Sequence, residues 1–242
     1  MTFTSAKYKF FSRFFPNLIN SKLLNAYLKE QGIEIGNNTF FFNAGSICID
    51  DSRPDLLHIG NYCKITAGTT ILTHDYSRSV LRRAYGEVIG EAKQTFIGDN
   101  VFIGINSIVL MGANIADNTI VGAGSVCSGV YPPNSVIAGN PAKVIMSLDE
   151  FYKKRKNRYI NEAKEYAELL YSKNGRIPTI TEMGAFFPLY LEHNKELLNK
   201  YNLRTNLSGD NQEEIINSWL SSKAFFENYE KFIEFCNIKE NS

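Results

Sequence analysis

Three histidines, His58, His74 and His193, occur in the 242 residues, and His74 has the setting most suited to chemistry. It belongs to the run Thr73-His74-Asp75-Tyr76, where a regular repeat stops and an inserted segment, 77–96, begins. Imidazole exchanges protons near neutrality, so a histidine at the root of a long loop suits general acid–base work. Long loops on rigid frames more often carry function than fill space. His58 merely precedes a repeat, and His193 lies in a polar helical run. The inserted segment offers partners. Arg78 and Arg82 can share one face of a helical turn and, with Arg83, meet phosphate or an acidic sugar, the competing reading being a solvated charge run. Glu87, in Tyr85-Gly86-Glu87, can accept the far N–H of an imidazole and fix its tautomer. Glu91 competes for that role, and an ordinary exposed carboxylate is the plain alternative for either.

The elements that position His74 follow from a period of six. Ile97, Ile103, Val109, Ile115, Val121 and Cys127 recur at that interval, and four positions after each aliphatic comes Val101, Ser107, Ala113, Thr119 or Ser125. Gly98, Gly104 and Gly122 directly follow three of them. A strict six with glycine and asparagine between fits neither a helix nor a free hairpin, but it fits short strands joined by tight corners. Each turn of such a solenoid buries its apolar face by stacking on the next. The phase reappears at Ile35, Phe41, Ile47, Ile59, Ile65 and Ile71, with Arg53 out of character at an expected loop, Asp51-Ser52-Arg53-Pro54. Asn43 stands beside a glycine at an expected corner, where asparagine tolerates left-handed backbone angles.

The repeats occupy 33–146, between an expected helical segment, 1–32, and an expected helical extension, 147–242. At the N-terminal end, Lys7, Lys9 and Arg13 interleave with Phe10, Phe11, Phe14 and Phe15. That mixture suits a membrane surface, but a solenoid needs its open end covered, so a packing cap is the expectation. Leu18 to Gln31 reads as a helix stopped by Gly32. In the extension, Ser147-Leu148-Asp149-Glu150 has capping-box spacing ahead of a long helix. The runs from Leu189 to Tyr201 and from Gln212 to Phe235 each read as helical, with the aromatics of this region as its core.

Composition narrows the classes. Hydrophobic residues make up 44%, enough for a packed core. A net charge of +1 gives no electrostatic reason to expect nucleic acid as a partner. Cys48, Cys63, Cys127 and Cys236 are scattered, which suits a reduced, cytoplasmic protein, and no stretch has the length and apolarity of a membrane span. A three-histidine zinc site, as in a carbonic anhydrase built on such repeats, finds only His74 and His58 within them, so no metal is expected.

The hexads, the Thr73-His74-Asp75-Tyr76 corner and the closing run Ala138-Gly139-Asn140-Pro141-Ala142-Lys143-Val144-Ile145 together resemble the hexapeptide-repeat acyltransferases. The likeness is greatest to the branch that holds the maltose, galactoside, xenobiotic and surface-polysaccharide acetyltransferases. It implies a mainly β fold, a left-handed parallel β-helix with a short N-terminal helical cap and a C-terminal α-helical extension. It also implies a homotrimer with acetyl-CoA as co-substrate in the grooves between neighbouring coils. By the same resemblance His74 is the catalytic base, Asn43 the corner asparagine near the acceptor, and Glu87 the nearest match for the carboxylate that steadies the histidine. Gly104, Gly122, Ala123, Gly124 and Ser125 match positions along pantetheine, and Asn140 and Lys143 lie toward the nucleotide end. Asp75, Tyr76, Arg78 and Tyr85 are expected beside the acceptor, whereas Phe102 stands where many relatives carry tryptophan. The expected activity is O-acetylation of a saccharide hydroxyl. N-acetylation of an amino sugar, nucleotide sugar or xenobiotic is the alternative, and a non-catalytic scaffold the other.

Overall fold

The computed structural model describes residues 2–203 and 211–238, which form two compact units, Met1–Phe151 and Tyr152–Ser242. In the first unit fifteen short strands follow one another: β1 (Glu34–Ile35), β2 (Phe40–Phe41), β3 (Cys48–Ile49), β4 (Leu57–Ile59), β5 (Lys64–Ile65), β6 (Thr70–Ile71), β7 (Thr95–Ile97), β8 (Phe102–Ile103), β9 (Ile108–Val109), β10 (Asn114–Ile115), β11 (Ile120–Val121), β12 (Val126–Cys127), β13 (Val130–Tyr131), β14 (Ser135–Gly139) and β15 (Ala142–Ser147). Every third strand pairs in parallel, giving the sheets β1-β4-β7-β10-β13, β2-β5-β8-β11-β14 and β3-β6-β9-β12. Three sheets visited in rotation make a three-sided parallel β-helix. β15 turns back antiparallel on β14 and ends the coil.

Register explains the period of six. Ile35, Ile59, Ile97, Ile115 and Tyr131 stand in line on one side, and Phe41, Ile65, Ile103, Val121 and Ile137 on the second. Ile49, Ile71, Val109 and Cys127 stand in line on the third. From Ile59 to Cys127 all of these are fully buried. The small residues two before each strand's inward residue fill the corners, and their hydroxyls donate to corner carbonyls, as Ser125 Oγ does to Gly122 O at 2.6 Å and Thr119 Oγ1 to Ala116 O at 2.7 Å. Asn100, Asn118 and Asn134 adopt left-handed angles at successive turns of one corner and hydrogen-bond side chain to side chain. Removing part of one stacked residue leaves a void that no neighbour fills, so Ile103→Ala is expected to cost about 2–5 kcal/mol in denaturant unfolding at fixed protein concentration. A loss below about 1 kcal/mol would mean the coil interior is not close-packed there.

The phase departs from the sequence reading in the first turn. Ile49, not Ile47, pairs with Ile71, because a short 3-10 turn at Ala44–Ser46 lengthens that side. Arg53 belongs to no strand, and Pro54–Leu56 forms a second such turn before β4. Helices α1 (Phe3–Phe14) and α2 (Ser21–Gln31) cover this end of the coil, with Ile19, Leu24, Tyr27 and Leu28 joined to its core and Tyr8 stacked on Tyr27. Gly32, with φ +99°, stops α2 in a left-handed C-cap that non-glycine side chains disfavour. The inserted segment contains helix α3 (Arg78–Tyr85).

The second unit is helical. Helix α4 (Leu148–Asn174) begins on a reciprocal capping box, Glu150 N donating to Ser147 Oγ and Ser147 N to Glu150 Oε2. Then come α5 (Lys195–Lys200), α6 (Gln212–Ser221) and α7 (Tyr229–Phe235). Two runs expected as helix are therefore shorter or interrupted. Helix α5 starts only where Asn194 caps it, and the run from Gln212 breaks after Ser221 because Phe226 N turns away to Leu189 O and Asn228 caps a new helix. Phe187, Trp219 and Phe232 join the core of this unit, whereas Phe225 and Phe235 are exposed. No helix of the described residues is long and apolar enough to cross a membrane.

Candidate functional site

Strands β3 and β6 are neighbours in one sheet, and the chain leaves that sheet at the same end from both. Asp50 follows β3 and continues the ladder, its N–H donating to Ile71 O at 2.9 Å, while Thr73 and His74 follow β6. The shared exit brings together two residues 24 apart in sequence: His74 Nδ1 lies 2.6 Å from Asp50 Oδ2. The Asp50 carboxylate is held on every side. Oδ2 also accepts from Thr73 N at 3.1 Å and from Thr73 Oγ1, and Oδ1 accepts from Ser52 N at 3.1 Å and Ser52 Oγ at 2.7 Å. Burial raises the carboxyl's pKa, but hydrogen bonds from Thr73, Ser52 and His74 outweigh it and hold the group well below the usual carboxylate range. Asp50 is therefore an acceptor only, so the proton between the two sits on His74 Nδ1 and Nε2 carries the free lone pair. The imidazole is 16% exposed and the carboxylate 8%, a base reachable from solvent on a shielded support.

This corrects the expected partner. Glu87 is exposed on the stretch after α3, and the imidazole nitrogen it was to hold is already held by Asp50. Glu91 serves the backbone instead. Its Oε1 accepts from Asp75 N at 3.1 Å, and its backbone carbonyl accepts from Arg53. The two contacts tie the returning end of the insertion to the residue beside His74 and to Arg53 in the loop before β4. Asp50 is not visible from the inserted segment's own sequence, because the carboxylate that meets His74 stands on the adjacent coil, 24 residues earlier in the chain. The hexad count could not place it either, because the phase reads Ile47 where Ile49 is the residue that pairs with Ile71, and only that shifted register puts both chain exits side by side.

The other expected residues fall into three groups. Tyr76 lies at His74 and Arg78 on Tyr76: the Tyr76 ring meets the imidazole edge-on at 5.6 Å, and the Arg78 guanidinium lies over the tyrosine ring at 5.4 Å. Asp75 beside them caps the turn into α3, Oδ1 accepting from Ser77 N at 2.8 Å, and the Ser77 hydrogen bonds lower its pKa. Tyr85, at the far end of α3, is 76% exposed and makes no contact with the imidazole. Asn43 sits at an exposed corner of the first turn with φ 50°, its carbonyl accepting from Ser46 N and Oγ. Along the coil, a Cβ on Gly104 would meet Ala123 N at 2.5 Å, so close stacking of turns requires that glycine. Gly124 has open space around it, Ser125 is buried on Gly122 O, and Asn140 and Lys143 are exposed at the β14–β15 turn.

Four of the other histidines and cysteines are held or buried. His58 is stacked on Phe96 at 4.6 Å and paired with Glu34 at 2.9 Å. Burial raises the Cys63 thiol and pushes Cys127 up to about 12 and Cys236 to about 11, so none of these three supplies a thiolate nucleophile near neutrality. A proton acceptor such as His74 Nε2 suits direct transfer between two bound molecules.

Residues 94–128 match the family model described as the hexapeptide repeat of succinyl-transferase. Protein CapG of Staphylococcus aureus is 37% identical over 139 residues, 57% of this chain and 80% of that protein. The galactoside O-acetyltransferase of Escherichia coli strain K12 is 32% identical over 118 residues, 49% of this chain and 55% of that protein. Among solved structures, a maltose O-acetyltransferase from Clostridium difficile 630 aligns with a TM-score of 0.44 and 25% identity over 60% of this chain and 86% of that one. The match to CapG, which spans most of that protein, is the one that places the chain.

Proposed function

Because the chain belongs to the hexapeptide-repeat acyltransferases, we propose that it moves the acetyl group of acetyl-CoA to a saccharide hydroxyl, one belonging to a bacterial surface polysaccharide or its precursor. The observation that carries the reading is the His74–Asp50 pair at the root of the inserted segment. Nε2 of His74 takes the proton of the acceptor hydroxyl as that oxygen attacks the thioester carbonyl. The C–S bond then breaks, and the imidazolium returns the proton to the departing thiolate. Asp50 stays ionised throughout and favours the transient imidazolium. Backbone N–H groups at coil corners are the natural donors to the oxyanion.

Tyr76 beside the imidazole, with Arg78 over the tyrosine ring, supports an acceptor that offers a sugar face and polar or acidic groups, since aromatic rings and guanidinium suit such surfaces. Asn43 is assigned to the acceptor, and Gly122, Ala123, Gly124, Lys143 and Asn140 to the donor. The active assembly is a homotrimer with each site shared by two chains. The inserted segment supports this, because Val80, Tyr85, Val88 and Ile89 leave apolar surface uncovered that a neighbouring coil can bury. Four free cysteines suit a cytoplasmic setting.

The acceptor class is tested by following thiol release from acetyl-CoA with a panel of free sugars, oligosaccharides and amino sugars. Turnover with hydroxyl acceptors, with N-acetylated amino sugars as good as their free amines, is expected. Turnover confined to free amines would replace the reading with N-acetylation.

A further inference from the structure

Packing of the N-terminal cap accounts for three of its seven aromatic residues. Tyr8 and Phe11 turn inward against the coil's core, but Phe3, Phe10, Phe14, Phe15 and Leu18 are 83%, 52%, 58%, 51% and 59% exposed. The exposed ones are not scattered. Phe3, Lys7, Phe10 and Phe14 recur at helical spacing along one outward stripe of α1, and the Phe10 ring meets those of Phe14 and Phe15 at 5.3 and 6.0 Å. Beside the stripe an open groove of about 600 Å³ runs between α1 and α2, lined among others by Phe3, Lys7, Phe11, Leu18 and Lys22.

Charge selects the occupant. Residues 1–32 hold Lys7, Lys9, Arg13, Lys22 and Lys29 against the single acid Glu30, in a chain whose net charge is only +1. All five cations are exposed, as is Glu30, whose carboxylate accepts from Ser5 Oγ at 3.0 Å, so the cations outnumber the acid five to one on this surface. A two-fold contact between copies through this patch would set the cations of one chain against those of the other. An anionic bilayer surface instead takes the rings at the level of the acyl boundary and the lysines at the phosphates.

We propose that α1 and the turn through Leu18 dock the protein on the surface of an anionic phospholipid membrane, lying in its plane without crossing it. Binding is driven by the aromatic stripe and by attraction between the basic rim and lipid phosphates. The proposal stands apart from the reaction, because vesicle binding is read without donor or acceptor.

The test is flotation of the full chain with vesicles of phosphatidylcholine containing one quarter phosphatidylglycerol, against phosphatidylcholine alone, at low and high salt. Binding to the anionic vesicles, weakened by salt, is expected. Each basic side chain at such a surface is worth on the order of fivefold in partitioning, so Lys7→Glu/Arg13→Glu should weaken it by more than about tenfold. Phe10→Ser/Phe14→Ser should do the same while far-ultraviolet circular dichroism stays unchanged, since both rings face solvent. Equal or absent binding to the two vesicle types would overturn the proposal. So would a fall in molar mass by light scattering in the phenylalanine variant, which would assign the patch to contact between copies.

Discussion

His74→Ala is expected to lower kcat for acetyl transfer on the order of a hundred- to ten-thousand-fold, the range removed with a single general base, while acetyl-CoA affinity changes little. The physical reason is local. Nε2 is the free lone pair at the loop root, while His58 is stacked on Phe96 and paired with Glu34, His193 Nδ1 is held on Ser222 O, and three of the four cysteines are buried. The coil does not depend on the side chain, because His74 lies outside β6 and the ladder of Ile49, Ile71 and Val109 is complete without it. Steady-state kinetics of thiol release, with donor binding by calorimetry, separate the two effects. A variant that lost donor binding along with turnover would place the imidazole in the CoA site instead.

The second large effect is at Asp50. Asparagine there presents an N–H₂ group where the aspartate receives hydrogen bonds from Ser52, Thr73 and His74, so two donors face each other and the imidazole loses its fixed tautomer. Asp50→Asn is expected to reduce kcat roughly 10- to 1,000-fold with little change in KM for either substrate. It should also change the pH dependence of stability, with a definite sign. The native carboxyl is held below its ordinary value, so its contribution is complete above the unfolded pKa of about 3.9 and is lost as pH falls toward the native one. Wild type should therefore exceed the variant in stability at neutral pH and lose that advantage in strong acid. An advantage unchanged down to about pH 2 would mean that Asp50 is not held by these donors. Glu87, exposed and not among the groups that hold His74 Nδ1, carries no comparable expectation.

The coil was legible because its physics is repetitive. An inward residue every six positions is what three-sided stacking requires, and Ile97 through Cys127 meet it without interruption. The spacing alone does not set the hand of the coil. Legibility failed where short turns changed the count, between Phe41 and Ile59, since a residue added at a corner shifts the phase without altering composition. His74 was legible from its position where the repeat stops. Asp50 was not, because stacking puts residues of successive turns side by side and sequence distance says little about who meets whom. The helices of the second unit were legible as to kind but not extent. Asn194 and Asn228 start new helices inside runs whose apolar spacing looks continuous.

Thiol release by His74→Ala, Asp50→Asn and the double variant, measured side by side with wild type, tests the central claim that Asp50 acts through His74 on the acceptor's proton. Residues that work as a unit are not additive, so the double variant should be as slow as His74→Ala to within about twofold. Wild-type turnover in His74→Ala, or two losses that simply multiply, would contradict it.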